Sequence, residues 1–158
     1  MNNEKPQPSR RSPALSTRRK ACIREAALEM GADAATARKF GETGEITVGT
    51  FTLSVKPLSH REDGPWTAIA TMARPDQIPE DIWTDALLVA NGQSMLSSDG
   101  GYGLEDNGDA VLVRRLETKQ EHKRLLAAQL SGLLALCQAT REGAQALHVA
   151  SQRQGGVR

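Results

Sequence analysis

In the last third of the chain, Leu126, Leu130, Leu133, Leu134, Cys137, Ala144 and Leu147 recur at the spacing that brings side chains onto one face of a helix. The stripe extends over roughly eight turns, and Gly132 and Gly143 weaken the helix without breaking it. Just ahead of it, Thr118-Lys119-Gln120-Glu121 forms a capping box, in which Thr118 and Glu121 can satisfy each other's free backbone donors. So long an apolar face cannot be buried by the helix alone. The preceding chain must supply a broad surface to receive it.

That surface reads as a sheet. Asn107-Gly108 is a strong hairpin-turn signal, and it joins a strand opened by Tyr102 and Leu104 to a second one over 110–116. Further upstream, Ile46 and Val48 alternate, then Phe51, Leu53 and Val55 alternate in the opposite phase. The slip at Gly49-Thr50 marks either a bulge or a turn between two strands. Pro57 ends the run, a polar loop covers 59–65, and 66–72 is rich enough in Thr, Ala and Ile to be another strand. Before the strands, Ser16 or Thr17 can cap a helix with Ile23, Ala26, Ala27 and Met30 on one face, ended by Gly31, and a short helical piece is expected over 33–40. Pro79, followed by Glu80, Asp81 and Asp85, starts a middle helix of about three turns, which Asn91-Gly92 is expected to stop. The order predicts an α+β fold: a twisted, largely antiparallel sheet flanked by N-terminal, short middle and long C-terminal helices. A disordered basic tail is expected over 1–15, one domain over 16–150, and a flexible tail over 151–158.

The net charge of +1 hides a segregation. Residues 1–20 carry six cations against Glu4, a net of +5, whereas residues 21–150 are at −6. The basic front end lacks apolar residues and is expected to be disordered, either a solvated tail or an electrostatic arm for nucleic acid, a membrane surface or an acidic partner. No run approaches the ~18 apolar residues of a membrane span, and no apolar segment follows the basic start to make a secretory signal. Two cysteines, Cys22 and Cys137, make no disulfide framework and suit a reducing cytoplasm.

Chemistry is sparse. His60, His122 and His148 are isolated, with no partner at metal-site spacing, and Cys22 and Cys137 lie in apolar helical stripes without an adjacent base. Gly100-Gly101-Tyr102-Gly103 leads into a strand rather than a helix N-terminus, so it does not read as a phosphate loop. The acid pairs Glu62-Asp63, Glu80-Asp81 and Glu105-Asp106 fall in loops or a first helical turn, where acids are solvated. Neither catalysis, a metal nor a cofactor is expected, and beyond the tail there is no basic stripe for nucleic acid. Apolar surface, in contrast, is in surplus. Ile82, Trp83, Leu87, Leu88 and Val89 leave the middle helix with little polar face, and Ala110 to Val113 put apolar groups on both sides of one strand. Both features point to a two-fold interface with a second copy or to a ligand chain.

The run Leu87-Leu88-Val89-Ala90-Asn91, a Gly-rich link, the Gly-Leu strand with its acidic turn through Asn107-Gly108, the apolar strand Ala110-Val111-Leu112 and the last long helix resembles the C-terminal half of type III secretion chaperones of the Tir-chaperone (CesT) family. The resemblance covers about 79–147; the first half matches only in its order of helix then strands. It implies a cytoplasmic homodimer without cofactor or catalysis. Such a protein would hold the N-terminal segment of a secreted effector in non-globular form and help deliver it to the secretion ATPase. Carried over by position, Ile82, Trp83, Leu87, Leu88, Val111 and Val113 would build the dimer. Ile23, Ala27, Met30, Phe51, Leu53 and Val55 would offer apolar grooves to the effector. The family is usually acidic, as the body of this chain is once its first twenty residues are set aside. The alternative function is that of a basic-tailed adaptor or regulatory protein binding nucleic acid or an acidic partner through residues 1–20.

Overall fold

A computed structural model describes residues 14–59, 61, 64–97, 100–116 and 122–155. The expected capping box at 118–121, His60, the pair Glu62-Asp63 and the basic residues before 14 lie outside the described residues. The chain runs α1 (Thr17–Glu29), α2 (Ala34–Thr43), β1 (Glu45–Val48), β2 (Phe51–Pro57), β3 (Trp66–Met72), α3 (Glu80–Ser97), β4 (Gly100–Leu104), β5 (Ala110–Leu116) and α4 (Lys123–Gly155). The five strands form one antiparallel sheet in the order β1-β2-β3-β5-β4. The fold is α+β, with the long C-terminal helix that the leucine stripe calls for.

Local chemistry accounts for the helix ends. The Ser16 hydroxyl accepts the Arg19 N–H at the start of α1, and one Asp33 carboxylate oxygen accepts the Ala35 and Thr36 N–H groups at the start of α2. Gly44, at φ 69°, closes α2 with its N–H on the Phe40 carbonyl and turns the chain directly into β1. The phase slip after Val48 resolves as a turn. Val48 faces Phe51 across a two-residue loop, Gly49 has φ 60° and Thr50 does not share its positive φ, as a type II′ hairpin requires. The β4–β5 hairpin closes through Glu105 N–H to the Asp109 carbonyl, with Gly108 at φ 86° and the Asn107 side chain accepting the Asp109 N–H.

The register puts one consistent set of side chains on the helix-covered face: Phe51, Leu53 and Val55 of β2, Trp66, Ala68, Ala70 and Met72 of β3, and Ala110, Leu112 and Leu116 of β5. All ten are buried, and Leu126, Leu130, Leu133, Cys137 and Ala144 of α4, Ile23, Ala26 and Ala27 of α1, Phe40 of α2 and Trp83 and Leu87 of α3 join them in the core. The other face carries Thr52, Thr71, Ile69, Val111 and Val113, of which Val113 is 40% exposed. The strand expected to be apolar on both sides is therefore covered on one side only within this chain.

The middle helix departs from expectation. It does not stop at Asn91-Gly92 but continues to Ser97. Gly92 does not adopt a positive φ, so it terminates nothing. The Asn91 amide is engaged instead with the neighbouring strand.

Candidate functional site

An antiparallel strand turns every second residue's backbone groups away from its partner, so the two outermost strands each present a row of unmade hydrogen bonds. The two edges of this sheet are handled differently. At β4, Tyr102 is the central outward residue. Its N–H donates to Asn91 Oδ1 at 2.7 Å, and Asn91 Nδ2 donates to its carbonyl at 3.0 Å, so a side chain of α3 takes the place of another strand. Tyr102 is also held from below, its hydroxyl 2.8 Å from Thr140 Oγ1 and 3.3 Å from the Leu136 carbonyl of α4. Burial raises its pKa, an effect the Thr140 hydrogen bond opposes in part.

At β1 the outward residues are Glu45 and Thr47. The Val55 N–H bonds the Gly44 carbonyl, which fixes the alternation: Gly44, Ile46 and Val48 face β2, while Glu45 and Thr47 face out. The Glu45 N–H donates to Thr43 Oγ1 at 3.1 Å, and that hydroxyl lies 3.0 Å from the Glu45 carbonyl and 2.8 Å from the Lys39 carbonyl. Beside Thr47 the edge borders two adjoining recesses. One, of about 260 Å³, is apolar and lined by Ala27, Met30, Phe40, Ile46 and Val48; the other, of about 410 Å³, is polar and lined by Thr36, Lys39, Thr43, Glu45 and Thr47. Helix α2, beside them, is capped by Asp33, whose carboxylate lies below its usual pKa because the Thr36 backbone N–H and hydroxyl both donate to it.

A third recess, about 490 Å³, lies between α3 and the second half of α4, lined by Val89, Ala90, Tyr102, Leu136, Ala139 and Gly143 among others. Leu88 and Val89, next to it on α3, are 63% and 60% exposed.

Against this geometry the residues named from sequence divide. Met30 and Ala27 line the apolar recess. Ile23, Leu53 and Val55 have at most 2% of their surface exposed and Phe51 only 9%; they pack against the molecule's own helices, so they are core positions rather than an open groove. Among the residues named for a dimer, Leu88 and Val113 are exposed and Ile82 and Val111 half-buried. Trp83 is wholly buried, its indole N–H donating to the Gly108 carbonyl at 3.2 Å, and Leu87 is 4% exposed, so both are core residues too. Sequence reading missed Phe40, Ile46, Thr43 and Asn91. Phe40 and Ile46 carried an apolar signal, Asn91 was read only as a helix stop and as part of the Leu87–Asn91 run, and the Thr43 hydroxyl carried nothing that distinguished it from ordinary surface polar groups.

The groups with catalytic potential sit apart. Burial pushes the Cys137 thiol up to about 12, which leaves it protonated and unreactive at neutral pH, and Cys22 is buried. Among the described residues no three His, Cys, Asp or Glu side chains gather closely enough to hold a metal ion. Arg19 is buried beside Trp66, its guanidinium 5.2 Å from the ring centroid and one Nη donating to the Gly64 carbonyl, which ties α1 to the β2–β3 loop.

No family model and no curated protein matches this sequence. Among solved structures, a chain from the structure of the HopA1–SchA chaperone–effector complex superposes with a TM-score of 0.56 at 19% identity, covering 78% of this chain and 92% of that one. The two chains share one fold. The α+β order, the antiparallel sheet and the long last helix are those the residues alone had indicated; that the sheet has five strands comes from the structure. Within the described residues no helix is long and apolar enough to cross a membrane.

Proposed function

We propose that this chain is a cytoplasmic chaperone that binds the N-terminal segment of one or more type III secretion effectors, keeps it non-globular and promotes its delivery to the secretion apparatus. The observation that carries this reading is the β1 edge, where the outward backbone of Thr47 lies beside an apolar recess made by Met30, Phe40, Ile46 and Val48. An extended segment laid along that edge gains main-chain hydrogen bonds that demand no particular sequence. Its side chains alternate, so those beside Ile46 point toward the recess and their neighbours toward the open side. Such a surface selects apolar residues at alternate positions and little else, as suits a chaperone for unfolded segments. Ordering the segment costs entropy, which keeps the affinity per unit area low and leaves the client removable by an exporter. The shared fold with a chain from a chaperone–effector complex supports the same reading.

In this proposal the protein acts without catalysis or a cofactor, as a homodimer joined through Leu88 and Val89 of α3 and Val111 and Val113 of β5. A helix that exposes two adjacent branched apolar side chains is better accounted for by a second copy than by solvent. The secretion ATPase is the expected downstream partner. Affinity capture of the tagged protein from its native cells, with the retained proteins identified by mass spectrometry, tests the reading. Secreted proteins retained through their N-terminal segments are expected; recovery of nucleic acid or regulators, with no secreted protein, would overturn it in favour of an adaptor acting through residues 1–20.

A further inference from the structure

Resting on the β1 docking reading, we propose that Thr43 limits the length of strand that β1 accepts, because its hydroxyl already occupies the Glu45 backbone that a longer docking strand would need. The outward groups of β1 alternate, so a strand pairing with Thr47 must use Glu45 next if it extends toward α2. At Glu45 both main-chain groups lie within hydrogen-bond distance of one side-chain oxygen, the N–H at 3.1 Å and the carbonyl at 3.0 Å from Thr43 Oγ1. Thr43 thus does at β1 what Asn91 does at β4, with one difference. Asn91 makes two well-formed bonds at the centre of its strand, whereas Thr43 has a single hydroxyl proton to divide between the Glu45 and Lys39 carbonyls. When a strand displaces it from Glu45, the hydroxyl keeps its bond to Lys39 at the end of α2. The cap is accordingly weak and removable, and the polar recess lined by Thr36, Lys39 and Thr43 provides room for the incoming chain. Short clients pair at Thr47 alone, and longer ones compete with Thr43.

The test compares the full chain with Thr43→Val, which keeps the shape and removes the hydroxyl, and Thr43→Ser, which keeps the hydroxyl. In the free protein, Thr43→Val is expected to speed hydrogen exchange at the Glu45 amide about three- to tenfold, with Thr43→Ser close to the parent. Two fluorescein-labelled peptides of alternating Thr and Val with terminal Lys, about five and about nine residues long, serve as docking probes read by fluorescence anisotropy. The longer peptide is expected to bind Thr43→Val about three- to tenfold more tightly than the parent or Thr43→Ser, and the shorter one equally to all three. Equal or weaker binding of the longer peptide to Thr43→Val overturns the proposal. If neither peptide binds Thr43→Val, or if Thr47→Pro binds both as the parent does, β1 is not the docking edge; the docking reading then falls and the proposal with it, whatever the Glu45 amide does.

Discussion

Replacing Asn91 with Ala separates a helix-surface amide from an edge cap. The side chain makes two hydrogen bonds to Tyr102, at 2.7 and 3.0 Å, both partly shielded from water. Each is worth about 1 kcal/mol net, so Asn91→Ala is expected to cost about 2 kcal/mol. Helix propensity works the other way, since Ala is favoured over Asn by a few tenths of a kcal/mol, which leaves the net loss at roughly 1.5 kcal/mol. For a chain of this length that lowers Tm by about 3–6 °C, readable by circular dichroism or calorimetry, with urea unfolding as the cross-check. A second consequence follows from geometry: with Tyr102 uncapped, β4 becomes a pairing edge, and the variant should aggregate sooner on concentration. Asn91→Asp refines the argument. Its carboxylate can still accept the Tyr102 N–H but faces the Tyr102 carbonyl without a proton to donate. Protonation restores that donor, so the carboxyl pKa in the folded state is raised, and its contribution is present at low pH and lost as pH rises through that pKa. Measured against Asn91→Ala at each pH, Asn91→Asp should gain relative stability as the pH falls. A loss below ~0.5 kcal/mol for Asn91→Ala, with no change in aggregation, would refute the idea that this amide closes the edge.

Other consequences are open to direct measurement. Leu88→Asp, alone or with Val89→Asp, should shift sedimentation from dimer to monomer while leaving the circular dichroism unchanged, since both side chains are more than half exposed; a dimer that survives the double substitution removes this face as the interface. Asp33 has a lowered folded-state pKa, so its contribution is present above the usual carboxylate pKa and lost as pH falls through the lowered one; the stability difference between the parent and Asp33→Asn should therefore narrow on acidification, and a constant gap would contradict the cap. Cys137, raised to about 12 by burial, should resist alkylation in the native protein at pH ~8 and react only as fast as the core opens; rapid modification without denaturant would contradict its placement.

Much of this fold is legible in the residues because its elements follow simple periods. The α4 stripe, the two-phase alternation of Ile46–Val48 and Phe51–Leu53–Val55, and the turn residues Gly49 and Gly108 each state a local geometry that the packing preserves. What sequence leaves open is which apolar face the chain keeps for itself. Ile23, Leu53 and Val55 look like a groove when read alone and become core once α1 and α4 close over the sheet. Leu88 and Val89 look no different from the adjacent Leu87, yet helical rotation leaves them outside. The expected stop at Asn91-Gly92 failed for a related reason. Asn favours helix ends when nothing else engages its amide, and here the strand that follows α3 does so. Thr43 escapes notice likewise, because its importance depends on Glu45 facing outward, which only the β1–β2 register reveals.

Amide hydrogen exchange on the full chain, with and without a saturating N-terminal segment from a captured client, tests the account most directly. It predicts that the Thr47 amide, open in the free protein, slows sharply in the complex, that amides around Met30 and Ile46 slow with it, and that Tyr102, already capped by Asn91, is unchanged. Protection that instead appears along α3 and the outer face at Val111 and Val113, with Thr47 exchanging as in the free protein, would contradict docking at β1.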